Sequence, residues 1–344
     1  MKKNKPIILL DPFPRSIELI FSKEDILYLK NTFKLLYAPR NKRDKKKFYS
    51  NNIASAKFII GQPDLPTSLL KKASKLRAIF NVESNFLDNM DYNFCFKKEI
   101  HVLATSPVFA QPVAEMALGL TLSIARSIHI AHNDFIKNKE KYGGEISGNN
   151  FLLKNKKFGI IGFGDLGRAL VPLLRPFSND ILAYDPWVPD ILLKKNNVKP
   201  SNLTNLLKKS DVVFVLASIT SSNKEMINFT KLKLMKDFST FVLMSRAAII
   251  DFNDLYKFLK LRPVYAAIDV FPEEPFPKNN KFRKLNNVLF SPHRAGALQS
   301  AFKEMGEIVI ADIKLINKNL PPRLCKRAER ETVNQLRSKP VDIN

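Results

Sequence analysis

Phe158-Gly159-Ile160-Ile161-Gly162-Phe163-Gly164-Asp165-Leu166-Gly167 is the stretch that decides the fold. An apolar run without alternation reads as a strand buried on both faces, and it passes into G-x-G-x-x-G where a helix must begin. Gly162 permits the tight turn, and Gly164 lets the backbone approach a pyrophosphate. Gly167 lets the helix opened by Asp165 and Leu166 pack closely on the strand. The start of that helix offers free N–H groups and a positive dipole end to phosphates. Eighteen residues past Gly167, Tyr184-Asp185-Pro186 closes the next strand with an acid placed for ribose hydroxyls. A carboxylate there favours NAD over NADP, whose 2′-phosphate it repels. Pro172, inside the helix, is predicted to kink it.

Working outward, buried-looking runs recur near 181–184, 212–216, 241–244, 266–268 and 288–290, as a parallel sheet covered on both faces requires. Before them, 7–10, 58–60, 78–82 and 101–104 read as strands of a smaller α/β domain. Between them, residues 107–139 carry Val113, Ala117, Leu120, Ile124 and Ile128 at helical spacing, predicting one long helix that also packs on another chain. The fold class expected is α/β in two domains. The polar tail from Asn319 is expected on the surface or partly disordered.

The chain has 344 residues, 45% of them apolar, enough for two cores. The basic start is followed by only four apolar residues before Asp11-Pro12, a strand rather than a signal-peptide core. No stretch approaches the roughly 20 apolar residues that span a bilayer, since the run at 114–125 contains Glu115. Cys95 and Cys325 show no metal or redox spacing and fit a reducing, cytoplasmic setting. Lysine and arginine total 56 against 32 acids, a net charge of +24. These lysines are scattered beside asparagines without a nucleic-acid-binding motif, so solvated faces explain them better than a nucleic-acid partner.

Three further segments set ionisable groups just after strands: Met244-Ser245-Arg246-Ala247, Ile268-Asp269-Val270-Phe271-Pro272-Glu273-Glu274-Pro275 and Ser291-Pro292-His293-Arg294-Ala295-Gly296. A guanidinium suits a bidentate grip on a carboxylate. Hydride delivery to a keto carbon leaves an alkoxide that needs a proton, and imidazole, with an ordinary pKa of about 6.5, exchanges one near neutrality. A paired carboxylate fixes its tautomer. His101, His129 and His132 lack such surroundings and read as structural; no metal site is expected.

From about Ile53 to Ile313 these motifs, in this order, resemble the D-isomer-specific 2-hydroxyacid dehydrogenases. The resemblance implies a Rossmann-type doubly wound sheet at 107–296 binding NAD. It also implies a smaller flavodoxin-like α/β substrate domain from both chain ends, 1–106 and 297–344. Arg246 would hold the substrate carboxylate and C2 oxygen, His293 would be the acid/base and Glu274 its partner. Ser245 and Asp269 would flank the cofactor, Asp269 on the nicotinamide side. The substrate would be a small anionic 2-hydroxy or 2-keto acid, and the helix at 112–137 a homodimer contact.

Two positions depart from the family pattern. Ser84-Asn85-Phe86 stands where a Gly-x-Gly loop offers backbone N–H groups to the substrate, and Ala247 replaces a glycine after the arginine. Phe86 restricts φ and adds bulk there, and Glu83 adds a negative charge beside an anion site. Some relatives on this scaffold sense NAD and bind partners without turnover; Arg246, Glu274 and His293 standing together argue for the enzyme.

Overall fold

The computed structural model describes residues 5–83, 85–143, 150–331 and 333. The chain divides into two compact units: residues 1–108 with 220–222 and 298–344, and residues 109–219 with 223–297.

The first unit is built on a six-stranded sheet of β1 (Ile7–Asp11), β2 (Lys34–Tyr37), β3 (Ala56–Gly61), β4 (Ala78–Asn81), β5 (His101–Ala104) and, from the tail, Lys326–Arg327. Strands β1 to β5 are parallel in the order β2-β1-β3-β4-β5, the flavodoxin-like arrangement. The tail pairs antiparallel along β5, so its Lys326–Arg327 segment is an exposed edge strand, on the surface as expected. Buried Asp312, on the helix Gln299–Asn317, positions this strand. Its carboxylate accepts the backbone N–H groups of Arg323, Leu324 and Cys325 and turns the chain back onto the sheet.

The second unit carries seven parallel strands: β6 (Phe158–Ile161), β7 (Ile181–Tyr184), β8 (Lys199–Pro200), β9 (Val212–Val215), β10 (Thr240–Leu243), β11 (Tyr265–Ile268) and β12 (Val288–Phe290). Their order, β8-β7-β6-β9-β10-β11-β12, is the doubly wound Rossmann order, which reverses between β6 and β9. Strands β6, β9 and β10 are buried throughout, as non-alternating apolar runs require.

The expected single helix over 107–139 is broken. A 3₁₀ turn, Ser106–Phe109, leads into a helix Ala110–Ala125, and a second helix, Ile128–Ile136, follows left-handed Ser127. The Ala125 carbonyl, which would receive the N–H of His129 in a continuous helix, instead accepts from Phe151 on the approach to β6. By length and composition Ser106–Ala125 is long and apolar enough to cross a membrane, contrary to the expectation from sequence. Within its unit, Ala110–Ala125 packs on β10, β11 and the helix Asp165–Leu174, burying Val113, Ala117, Thr121 and Ile124. Pro172 lies third from the end of Asp165–Leu174, so it forfeits only the bond to the Arg168 carbonyl.

Candidate active site

In open α/β sheets ligands gather beyond the carboxyl ends of strands, at the point where strand order reverses. Here that point lies between β6 and β9, and the glycine loop occupies it. Gly162 has φ of 93°, and a β-carbon on it would stand 2.4 Å from the backbone of Ala217. A β-carbon on Gly167 would stand 2.7 Å from the Gly162 carbonyl oxygen. Around a β-carbon at Gly164, by contrast, nothing lies within 4 Å. Two glycines therefore make the turn close, and the third faces open space at the start of a ten-residue helix, beside Asp165 and Leu166. The first-turn N–H groups of a helix lack intrahelical acceptors, so this cradle fits a pyrophosphate.

Asp185 follows β7 and braces the loop: one carboxylate oxygen accepts from the Phe163 N–H at 2.7 Å, the other from the Trp187 N–H at 2.9 Å. Beside it, Tyr184, Asp190, Leu193 and Asn202 line a cavity of about 360 Å³, suited to an adenosine moiety.

On the other half of the sheet, Arg246, Glu274 and His293 come together. The Nδ1 atom of His293 lies 2.7 Å from Glu274 Oε2, and the Phe271 N–H donates to Glu274 Oε1 at 2.9 Å. Both side chains keep access to solvent, with 41% of His293 and 29% of Glu274 exposed, as a proton-transferring pair requires. Burial raises the carboxyl pKa of Glu274. The bond from His293, the Phe271 N–H and the charges of His293 and Arg246 outweigh burial and hold it below the ordinary value. Arg246 follows β10, half-buried, with Nη1 donating to the Ser245 carbonyl at 2.7 Å. Among the described residues the buried Ser245 hydroxyl, at this strand end, has no hydrogen-bond partner.

His293 has a left-handed backbone, φ 52°, which costs a non-glycine residue about 1 kcal/mol. Asp269, buried after β11, holds it there. Its carboxylate accepts from the Ser291 hydroxyl, the Arg294 N–H at 3.0 Å and the Ala295 N–H at 3.2 Å, while its carbonyl accepts from the His293 N–H at 2.8 Å. Three donors in the histidine loop thus compensate the burial of this carboxylate. Ser291 and Ala217 were missed by sequence reasoning. Only the Ser-Pro-His order hinted at the first, and nothing at the second.

The substrate-loop residues lie in the first unit. Ser84 falls outside the described residues. The Asn85 carbonyl accepts from the Asn81 amide at 2.5 Å. Phe86 adds its bulk to the core of this unit, where its ring is buried edge-on to Tyr92 at 6.4 Å. Glu83 is neutralised by Arg15, with Nη1 2.6 Å from Oε1. Among the described residues, no group of His, Cys, Asp and Glu is placed to hold a metal.

Residues 118–295 match the family model "D-isomer specific 2-hydroxyacid dehydrogenase, NAD binding domain". A solved phosphoglycerate oxidoreductase from Rhizobium etli is 41% identical, with a TM-score of 0.85 over 95% of this chain and 100% of that one. A glyoxylate reductase of Thermococcus litoralis is 31% identical over 75% of this chain and 80% of its own length. A hydroxypyruvate reductase of Thermotoga maritima is 33% identical over 71% and 82%, respectively.

Proposed function

The chain belongs to the D-isomer-specific 2-hydroxyacid dehydrogenases, and from that premise we propose how its residues divide the reaction. It is an oxidoreductase that interconverts 2-keto and 2-hydroxy acids with a nicotinamide dinucleotide. The observation that carries the residue assignment is the His293–Glu274 pair, 2.7 Å apart and open to solvent beside Arg246.

When bound, the dinucleotide supplies or takes the hydride at C2. Arg246 holds the substrate carboxylate and the C2 oxygen through its planar fork. Glu274 engages Nδ1 of His293, leaving Nε2 to exchange the proton. In reduction Nε2 donates its proton to the oxygen that becomes the hydroxyl; in oxidation it removes that proton, so the two directions need opposite protonation states. The dinucleotide itself would lie on Gly162, Gly164 and Gly167.

NAD is the cofactor of choice in this reading. Asp185, braced by two backbone N–H groups, puts negative charge where NADP would carry its phosphate. The substrate is a small 2-keto acid of the glyoxylate, hydroxypyruvate or phosphohydroxypyruvate kind, on which the named relatives act or to which they are related. The exposed apolar side chains Ile128, Ile130, Phe135 and Ile136 support a homodimer through this helical region. Cys95 and Cys325, both buried thiols, support a reducing, cytoplasmic setting.

The test is NADH consumption with each of the three keto acids, with NADPH in parallel. Turnover on one of them with NADH, lost in His293→Asn while NADH still binds, is the expected result. Equal loss of turnover and NADH binding would sink the role given to His293.

A further inference from the structure

The first unit holds a cavity of about 720 Å³ at the amino ends of β4 and β5. Arg77 stands immediately before β4 and His101 opens β5, whereas Asn85 and Phe86 follow the carboxyl end of β4. The cavity therefore sits at the opposite end of β4 from the substrate loop. Its outer wall is the tail, which Asp312 turns back and the Ala328 N–H fastens to the Val102 carbonyl at 2.9 Å.

Among the described residues, Arg77, Lys98, Arg327 and Arg330 line this space against a single acid, Glu99. Among the described residues none of the four cations forms a salt bridge. Arg77 donates to the neutral amide of Asn319 at 3.2 Å, and the Arg330 guanidinium stacks 5.6 Å from the centre of the Phe96 ring. Like charges gathered in a concavity repel one another and weaken the fold unless an anion joins them. The pKa of His101 registers that field. Burial lowers it first, and the charges of Arg327 and Arg77 lower it further, overriding Asp312 and Glu99.

We propose that this cavity binds a small di- or triphosphate. Arginine forks match phosphate oxygens in pairs, and four cations suit a ligand carrying several negative charges better than a monocarboxylate. A concave space of several hundred Å³ is of small-molecule size, whereas a nucleic-acid backbone is tracked by an extended groove. The site is separate in sequence from the glycine cradle, and its occupancy does not depend on the residue roles proposed above.

The experiment is calorimetric titration of the whole protein with inorganic pyrophosphate and with tripolyphosphate, in saturating NADH so that the glycine loop is filled. Saturable binding with one site per chain is expected. Arg77→Gln/Arg327→Gln is expected to weaken it at least about tenfold. Lys208→Gln/Lys209→Gln removes the same charge from two exposed side chains at the end of a helix in the other unit and is expected to change it less than about twofold. Should the arginine pair fail to fold, by its thermal transition, Lys98→Gln alone is expected to weaken binding about threefold. Absence of saturable binding, or equal weakening by the arginine and lysine pairs, overturns the proposal and leaves only the general attraction of a basic surface for polyanions.

Discussion

The two sheets both carry ion pairs at or beyond their strand ends, but the pairs are held differently. In the first unit Asp11, at the end of β1, is 6% exposed and takes Lys45 at 2.8 Å and the Tyr49 hydroxyl at 3.2 Å. Arg15 and Glu83 close on each other in the same unit, with Glu83 only 8% exposed. In the second unit His293 and Glu274 meet at the same distance as Lys45 and Asp11, within 0.1 Å, yet stay open to solvent. In the roles proposed above, distance alone does not separate a structural pair from a reactive one. Access does, together with a titratable partner and a nearby group for the substrate's charge. Burial favours fixed charge states, and proton transfer needs one group able to change state.

That contrast breaks first, and by the largest amount, at His293. His293→Asn should lower reductive kcat by about 10²–10⁴-fold with no change in the thermal transition, measured by steady-state kinetics and calorimetry. Asp11→Ala should do the reverse. It strips the acceptor from Lys45 and Tyr49, so denaturant unfolding should show a loss of about 2–4 kcal/mol, with KM unchanged in the folded fraction. If Asp11→Ala instead spared stability and abolished turnover, the division drawn between the units would be wrong.

Gly162→Ala touches fold and site together, because the new methyl meets Ala217 at a φ that L-residues disfavour. About 2 kcal/mol of stability and at least tenfold in NADH affinity should go together, read by unfolding and fluorescence titration. Glu274 sharpens the comparison through pH. Its folded pKa lies below the ordinary carboxylate value, so its support of His293 is fully present above that value and disappears only as pH falls through the depressed one. Glu274→Gln should lower kcat about tenfold or more and move the alkaline limb of reductive kcat/KM to lower pH; an unmoved limb counts against the pairing. The smallest effect concerns Asp211, whose carboxyl pKa is raised by burial but lowered overall by the Lys157 N–H and Lys236. Its stabilisation, about 1 kcal/mol, is present at neutral pH and lost in acid, so Asp211→Asn should flatten the acid limb of stability without touching kinetics.

The glycine turn, Asp185 and the order Arg246, Glu274, His293 were legible because each sits within a few residues of an apolar run whose end could be read. What was not legible depended on partners far along the chain. The bonds that hold Asp269 run to residues 291–295, more than twenty positions away. Phe86 looked like an obstacle in a pocket, yet it packs beside Tyr92 in the core. The break at Ser127 followed from a carbonyl taken by Phe151, which periodicity within a helix cannot reveal. The tail's course depended on Asp312, a buried carboxylate of the preceding helix that takes the tail's backbone N–H groups, which the tail's own polar composition does not reveal.

By itself the sequence determined the α/β class, the strand-turn-helix that cradles a dinucleotide, and the residues able to grip a carboxylate and move a proton. Those features rest on local periodicity, on the φ freedom of glycine and on side-chain chemistry, all of which are properties of short stretches. The tertiary structure alone decided which acid is buried to brace the histidine loop, and that the tail completes a sheet edge and a cationic cavity. Those choices depend on which distant donors reach a buried charge, since a carboxylate removed from water must find its hydrogen bonds wherever the fold brings them.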